Sequence, residues 1–452
     1  MVKKHLSTAL VVVSLAVLII ACDNTSTPLT KLWRVEGAHP EYINEAYAFD
    51  SKSNMIVQKL KYDDDLNQIY SLHKLNSSGQ LQWSVPVSDW SELEIDNNDN
   101  IYSFFLYEDF VTGRKYRIVK YSSGGTILWQ KNDIAAEYSL SLDYYTTLRL
   151  AHALDPTGNL IIQGPAATAG DQYRIIKIDQ DGNELWRVNT GASMSRLITD
   201  ARGDIYIGNL ITITQNEEYG IRVLKYDGAS GSLLWDKICI RATSGHELGN
   251  YTLLTDSSNN LLVAHSETAA HVNKFDASSG DQVWEYAYKP SDIGVSKDVE
   301  ATVKCDSSGN IIISAVVSVL TGLIPGASGS FPFPTGYDYC QLIKVDANGN
   351  TSWSKKVSTV MIYNGDMGGQ LNVDRQNNIY VFCLDNALMK YNTSGKKLWS
   401  YTPEITDVTA GQMSEWHVDS ELNLYWILQC GSLQDEDGSY YNGYWITKYS
   451  QD

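Results

Sequence analysis

Six cysteines are spread through 452 residues, and no two stand side by side or in a Cys-x-x-Cys-His arrangement, which excludes a covalent haem. Histidine is equally scattered: His39, His73, His152, His246, His265, His271 and His417 show no zinc-motif spacing and are expected at the surface or in packing. The chain lacks a Gly-x-Ser-x-Gly nucleophile elbow and a Gly-x-x-x-x-Gly-Lys-Ser/Thr phosphate loop. It has no basic run after its first residues. With 35 Lys and Arg against 53 Asp and Glu, the net charge is -18, and nucleic acid is not an expected partner, because binding a phosphate backbone depends on Lys and Arg displacing counterions. The same acidity disfavours lying flat on anionic lipid. No linker rich in Pro, Gly and Ser and no break in composition divides the chain, so one large repetitive domain is expected.

The first residues stand apart from this pattern. Lys3 and Lys4 lead into an apolar stretch from Ala9 to Ile20, short for a membrane span, which stops at Ile19-Ile20-Ala21-Cys22. That tetrad resembles the bacterial lipobox, in which cleavage before the cysteine makes it residue one, carrying diacylglycerol and an N-acyl chain such as palmitate. The resemblance implies a signal peptide over 1–21, lipidation at Cys22, a polar tether over 22–30 and a globular part over 31–452. It places the protein in the bacterial cell envelope, anchored on the extracytoplasmic side. Asp23 resembles an inner-membrane retention signal. Several acyl chains anchor firmly, at about 0.8 kcal/mol per buried methylene. Cys239, Cys305, Cys340, Cys383 and Cys430 are then left as an odd number of thiols with no readable pairing.

The globular part is built on repetition. A unit of Lys, an apolar residue, a turn, Gly and Trp runs from Lys74 to Trp83, Lys120 to Trp129, Lys177 to Trp186, Lys225 to Trp235, Lys274 to Trp284, Lys344 to Trp353 and Lys390 to Trp399. An eighth begins at Lys448, and its Trp half stands at the other terminus in Lys31-Leu32-Trp33. Between these units lie Asp turns at Asp50, Asp96, Asp155, Asp200, Asp256, Asp306, Asp374 and, more loosely, Asp419. Alternating segments such as Asp204-Ile205-Tyr206-Ile207 read as strands, four per repeat of about 54 residues. The expected fold is all-β: an eight-bladed β-propeller of four-stranded blades, with the last blade closed by the N-terminal strand.

The Lys-x-Asp-x-x-x-Gly-x-x-x-Trp spacing, clearest from Asp227 to Trp235 and from Asp276 to Trp284, resembles the tryptophan-docking motif of propellers related to pyrroloquinoline quinone enzymes. The resemblance implies that Trp33, Trp83, Trp129, Trp186, Trp235, Trp284, Trp353 and Trp399 pack blade against blade. That superfamily includes quinone enzymes and a non-catalytic propeller lipoprotein of the outer-membrane assembly machinery. The chain departs from the enzymes: it lacks their adjacent cysteine pair, and their calcium ligands and catalytic aspartate have no evident counterpart. The quinone is therefore not expected, and neither is another cofactor. Of the acidic clusters Asp63-Asp64-Asp65, Asp96 to Asp99 and Asp435-Glu436-Asp437-Gly438, the last would suit a calcium ion best, through Asp435 and Asp437, although solvated turns explain all three.

The repeated lysines, in alternating strands, are expected to point outward and shield strand edges rather than form an anion-binding ring. Asp and Gly turns should share one uniform face, leaving variable loops on the other, and binding usually resides in such loops. Two segments stand out there: Leu320 to Tyr339, with Phe331, Phe333 and Tyr337, and Asn132 to Leu148, with Tyr138, Tyr144 and Tyr145. They either cap the central channel or meet a partner. The expected function is a protein-binding or scaffolding module; a cofactor- or metal-dependent propeller enzyme and a glycan-binding propeller are the alternatives.

Overall fold

The computed structural model describes residues 29–451 except 38–40, 64, 66, 90, 110–112, 133–150, 165–172, 191–195, 215–217, 243–250, 267, 292–295, 325–332, 361–369, 383–386, 403–413 and 435–439. The segments 1–21 and 22–30, with Cys22, lie almost wholly outside that range. The strands form eight four-stranded antiparallel sheets arranged as the blades of a propeller. Blade 1 runs Glu41–Phe49, Met55–Tyr62, Gln68–Leu75 and Leu81–Val87, each strand pairing with the next, and blades 2 to 7 repeat that order. Blade 8 takes three strands from the C-terminal end, Ser414–Val418, Leu424–Gln434 and Tyr440–Ser450, and its fourth from the N-terminal end, Thr30–Gly37.

First strands of successive blades touch one another and line the axis, while fourth strands alternate exposed and half-buried residues at the rim. Second and third strands are buried on both faces, as Leu160–Gly164 shows at every position, so they read as continuous aliphatic runs rather than half-polar ones. The period of two divides those runs between neighbours. Met55 and Val57 join the layer with Tyr425 and Ile446 of blade 8, whereas Ile56 between them joins Ile101 and Val119 of blade 2. Each of eight apolar clusters spans two adjacent blades. The core of this molecule is thus eight layers between blades, and stability resides in the junctions.

Every fourth strand carries a β-bulge one residue before its tryptophan. Lys74 pairs with Trp83 and Leu75 with Leu81, skipping Gln82, and Lys225 pairs with Trp235 and Tyr226 with Leu233, skipping Leu234. The extra residue twists the edge and aims the indole at the next blade. It leaves the skipped side chain in solvent, as with Leu32, Leu128, Leu185, Leu234 and Val283, each about half exposed.

Candidate protein-binding face

The turn face is nearly identical from blade to blade. In each Asp turn the carboxylate accepts two backbone N–H groups, as Asp155 does from Thr157 and Asn159 at 2.9 Å, and Asn159 Nδ2 donates to its second oxygen at 3.0 Å. That second oxygen also faces the repeated lysine. Contrary to the expectation that they point outward, Lys74, Lys120, Lys177, Lys225, Lys274, Lys344, Lys390 and Lys448 are all buried. The reason lies in register: each lysine stands across the ladder from the tryptophan, so both side chains enter the same layer between blades. An ammonium there must be paired, and the Asp of its own blade supplies the charge.

One carbonyl of the next blade's Gly turn completes the joint. Ser123 O accepts Lys74 Nζ at 3.2 Å and Trp83 Nε1 at 3.1 Å, and Ala277 O accepts Lys225 Nζ at 3.0 Å and Trp235 Nε1 at 3.2 Å. The arrangement recurs at Gln180, Gly228, Ala347 and Thr393, and at Ser77, which takes Lys448 and Trp33. The indole lies flat on the turn glycine: a Cβ on Gly231, whose φ is +72°, would stand 2.9 Å from the Trp186 ring. In blade 2 this glycine is Gly125 rather than the adjacent Gly124. The junction from blade 7 to blade 8 differs, because Gln451 replaces the Gly turn: its Oε1 accepts Lys390 Nζ at 2.7 Å and lies 3.0 Å from the Tyr380 hydroxyl, whose proton goes to Asp374.

The ion pairs fall into two classes. In blades 1, 3, 5 and 6 the Lys–Asp distance is 2.7 to 2.9 Å. In blades 2, 4, 7 and 8 it is 3.1 to 3.9 Å. The second class carries Tyr102, Tyr206, Tyr380 and Tyr425 where the first has aliphatic residues, and each lysine sits 4.8 to 5.0 Å over the ring centroid. The cation–π contact shares the ammonium with the carboxylate. Burial alone would raise the pKa of Asp50 and Asp155, but hydrogen bonds from their Lys and Asn partners outweigh it and hold both carboxyls below the usual range.

Blade 4 breaks the pattern at one atom. Asp204 stands where the other turns have Asn, so Asp200 Oδ2 is buried without a donor, and Lys225 moves to 3.0 Å from Asp204 and 3.6 Å from Asp200. Asp204→Asn restores the missing donor and is expected to stabilise the protein by about 1 kcal/mol. A higher denaturant midpoint in the variant is the check; an unchanged or lower one contradicts this reading.

Other candidate residues are placed as follows. A cavity of about 310 Å³ opens at the turn-face ends of the first strands of blades 2 to 4, where Asp96, Asp155 and Asp200 are ion-paired to lysines. Asp99 binds Ser51 of blade 1, and Asp63 caps its own turn through Asn67. Among the described residues no group of three His, Cys, Asp or Glu is placed to hold a metal ion; Asp435 and Asp437 lie outside them. Cys239, Cys305 and Cys340 are thiols rather than disulfide halves, and burial pushes the pKa of the first two up to about 12, which disfavours the reactive thiolate. The cysteines 383 and 430 are not described at the side-chain level.

Two histidines that looked scattered are in fact neighbours. His265 pairs with His271 across a tight hairpin, with parallel rings 4.7 Å apart that stack rather than converge on an ion. His152 stacks on Phe104 and lies 3.7 Å from both Glu92 and Glu94 at the junction of blades 2 and 3. A six-residue spacing across a hairpin was the available signal for the first contact; the second, between blades, had none.

The opposite face is where the blades diverge. Hairpins of the second and third strands are short in blades 3, 5 and 7, with strands of 4 to 6 residues, and long in blades 2, 4, 6 and 8, with strands of 9 to 14. Long and short therefore alternate from blade 2 to blade 8, and blade 1, with strands of 8 residues, falls between the two classes. The longest is Ile311–Ile324 with Phe333–Val345, so most of Leu320 to Tyr339 is paired strand and not the free loop its Gly and Pro content suggested. The aliphatic run from Ile311 carries the ladder through a bulge at Leu320 and Gly322. Pro334 lies beyond Asp338 and Val360, the last pair of the third and fourth strands among the described residues, toward the strand end where proline is tolerated.

Tyr339 is 1% exposed and belongs to the layer between blades 5 and 6, under Lys356, whereas Tyr337 is half-buried and stacks on it. The side chains of Leu320 and Phe333, and the residues Phe331, Tyr138, Tyr144 and Tyr145, lie outside those described.

A family model described as outer membrane protein assembly factor BamB matches residues 72–285 and 174–322. No curated protein matches the chain. Among solved structures, BamB from Moraxella catarrhalis is 13% identical, with 94% of this chain and 98% of that one covered at a TM-score of 0.44. The Dos1 propeller is 12% identical over 93% and 95%, at 0.50, and Sqt1 of Saccharomyces cerevisiae is 9% identical over 94% and 100%, at 0.47. Identities this low bear on the fold alone.

Proposed function

Because the chain belongs to the family described as outer membrane protein assembly factor BamB, we propose that it is a lipid-anchored protein of the bacterial envelope that binds a protein partner through its loop face and catalyses no reaction itself. The observation that carries this reading is the contrast between the faces. One is a repeated lattice of tight turns whose charges are spent on each other, and the other is a set of unequal hairpins on a rigid scaffold, the usual arrangement of a recognition surface. Anchoring through Cys22 would hold the propeller at the membrane, on the extracytoplasmic side. Asp23 favours the inner membrane.

The test is to replace residues 319–337 by Asn-Gly, joining Ser318 to Asp338 so that the Ser318–Asp338 register is kept. Partner binding by the detergent-solubilised protein is expected to weaken at least tenfold while the unfolding midpoint stays close to that of the parent. Unchanged binding in the shortened variant, or no specific partner for the parent, overturns the reading. Cys22→Ser is expected to abolish incorporation of labelled palmitate into the protein; labelling of the variant equal to the parent's would contradict lipidation there.

A further inference from the structure

The N-terminal strand Thr30–Gly37 reaches the ring from the opposite end of the chain from its sheet partner, and its Val35 packs into the layer between blades 8 and 1. Its ladder runs along Tyr440–Ser450 only, from Thr30 and Ser450 to Gly37 and Tyr444. It reproduces the bulge of the other seven outer strands, between Lys31 and Trp33, and leaves Leu32 49% exposed. Trp33 fills a slot that the strand itself does not build: Gly79 forms the floor, Ser77 O accepts Nε1 at 2.9 Å, and Tyr425 meets the ring edge-on at 5.8 Å. Arg34 lies 4.6 Å over the Trp445 ring, and its Nε donates to Thr447 Oγ1 at 3.1 Å.

All the acceptor parts therefore come from blades 8 and 1: an open strand edge, an indole slot and an aromatic platform for a guanidinium. An edge of unpaired N–H and C=O groups recruits extended chain, and a pocket at alternate side chains gives it specificity. We propose that blade 8 is a strand-acceptor site for an extended peptide of the pattern Trp-Arg, filled in cis by Thr30–Gly37 and able to take the same strand in trans. Ring closure is then a binding equilibrium, and whatever holds or pulls the residues before Thr30 acts on it directly. This does not rest on the partner-binding reading of the loop face.

The test places a protease site at residues 38–40 of the full chain, cuts after folding, and adds a fluorescein-labelled peptide of residues 29–37. The cut protein is expected to take up the label saturably, and at least tenfold more weakly when the peptide carries Trp33→Ala, while the uncut chain takes up neither peptide. Uptake of both peptides alike, uptake by neither, equal labelling of the uncut chain, or unfolding on cleavage overturns the proposal. Circular dichroism of the cut protein separates the last outcome from the others.

Discussion

Lys177→Met is expected to lower the stability of the protein by about 3 to 5 kcal/mol, the cost of stranding a buried charge. Lys177 and Asp155 stand 2.7 Å apart with side chains 7% and 3% exposed, and Lys177 also holds the Gly228 carbonyl of blade 4 at 2.7 Å. Removing the ammonium leaves a carboxylate in an apolar layer and a turn carbonyl shared with Trp186 alone. Adding Asp155→Asn should return much of the loss, because the amide oxygen can still accept the backbone N–H groups of Thr157 and Asn159 while the orphan charge is gone. Lys390→Met is expected to cost less, since its carboxylate is 3.9 Å away and keeps Tyr380 OH and Asn378 Nδ2 as donors. Denaturant unfolding followed by tryptophan fluorescence measures all three. Equal losses for Lys177→Met and Lys390→Met, or a double variant no better than the single, would contradict the two classes of junction.

Acid should loosen the ring where its ends meet. His417, on the first strand of blade 8, stacks on Phe49 of blade 1 with centroids 4.1 Å apart, and burial pushes its pKa down to about 4 against a small opposing pull from Asp419. The folded state thus keeps this imidazole neutral while the unfolded chain protonates it near 6.5. Its contribution is fully present above pH 6.5 and is lost as the pH falls toward 4, by about 1.4 kcal/mol per unit and roughly 3 kcal/mol in all. His417→Phe keeps the stack without a titrating group, so its stability should be flatter than the parent's over that interval. Parallel pH profiles for parent and variant would show that His417 is not the group responsible. The junction aspartates act lower: held below the usual carboxylate range, they support the fold above about pH 4 and withdraw that support only as they protonate.

The parts of this fold that could be read from the chain are the parts in which local chemistry repeats. Gly with positive φ, Asp caps and the interval to Trp are fixed within a dozen residues, so the blade count, the four strands per blade and closure by Lys31-Leu32-Trp33 were all legible. The burial of the lysines was not, because Lys74 meets Asp50 two strands away and Ser123 in the next blade, and strand alternation alone says nothing of which face a neighbour covers. In a sheet buried on both sides, a lysine at an inward position looks like any other. The long hairpin of blade 6 was hidden by Pro334 and Gly336, which read as loop but pair with the second strand beyond Asp338 and Val360, the last described pair of the third and fourth strands. Tyr339 shows the same limit, an aromatic that looked available and is packed between blades.

The two faces have separate physical roles. The turn face spends its polar groups on holding blades together, so substitutions there act on stability. The loop face carries length differences that the junctions do not need, so substitutions there are free to act on recognition. The most direct measurement is site-specific photo-crosslinking in the envelope, with the reactive group placed at Tyr337 on the loop face or at Ser258 on the turn face. The account predicts specific protein adducts from position 337 and none from position 258; adducts from the turn face alone, or none from either, would contradict a loop-face scaffold.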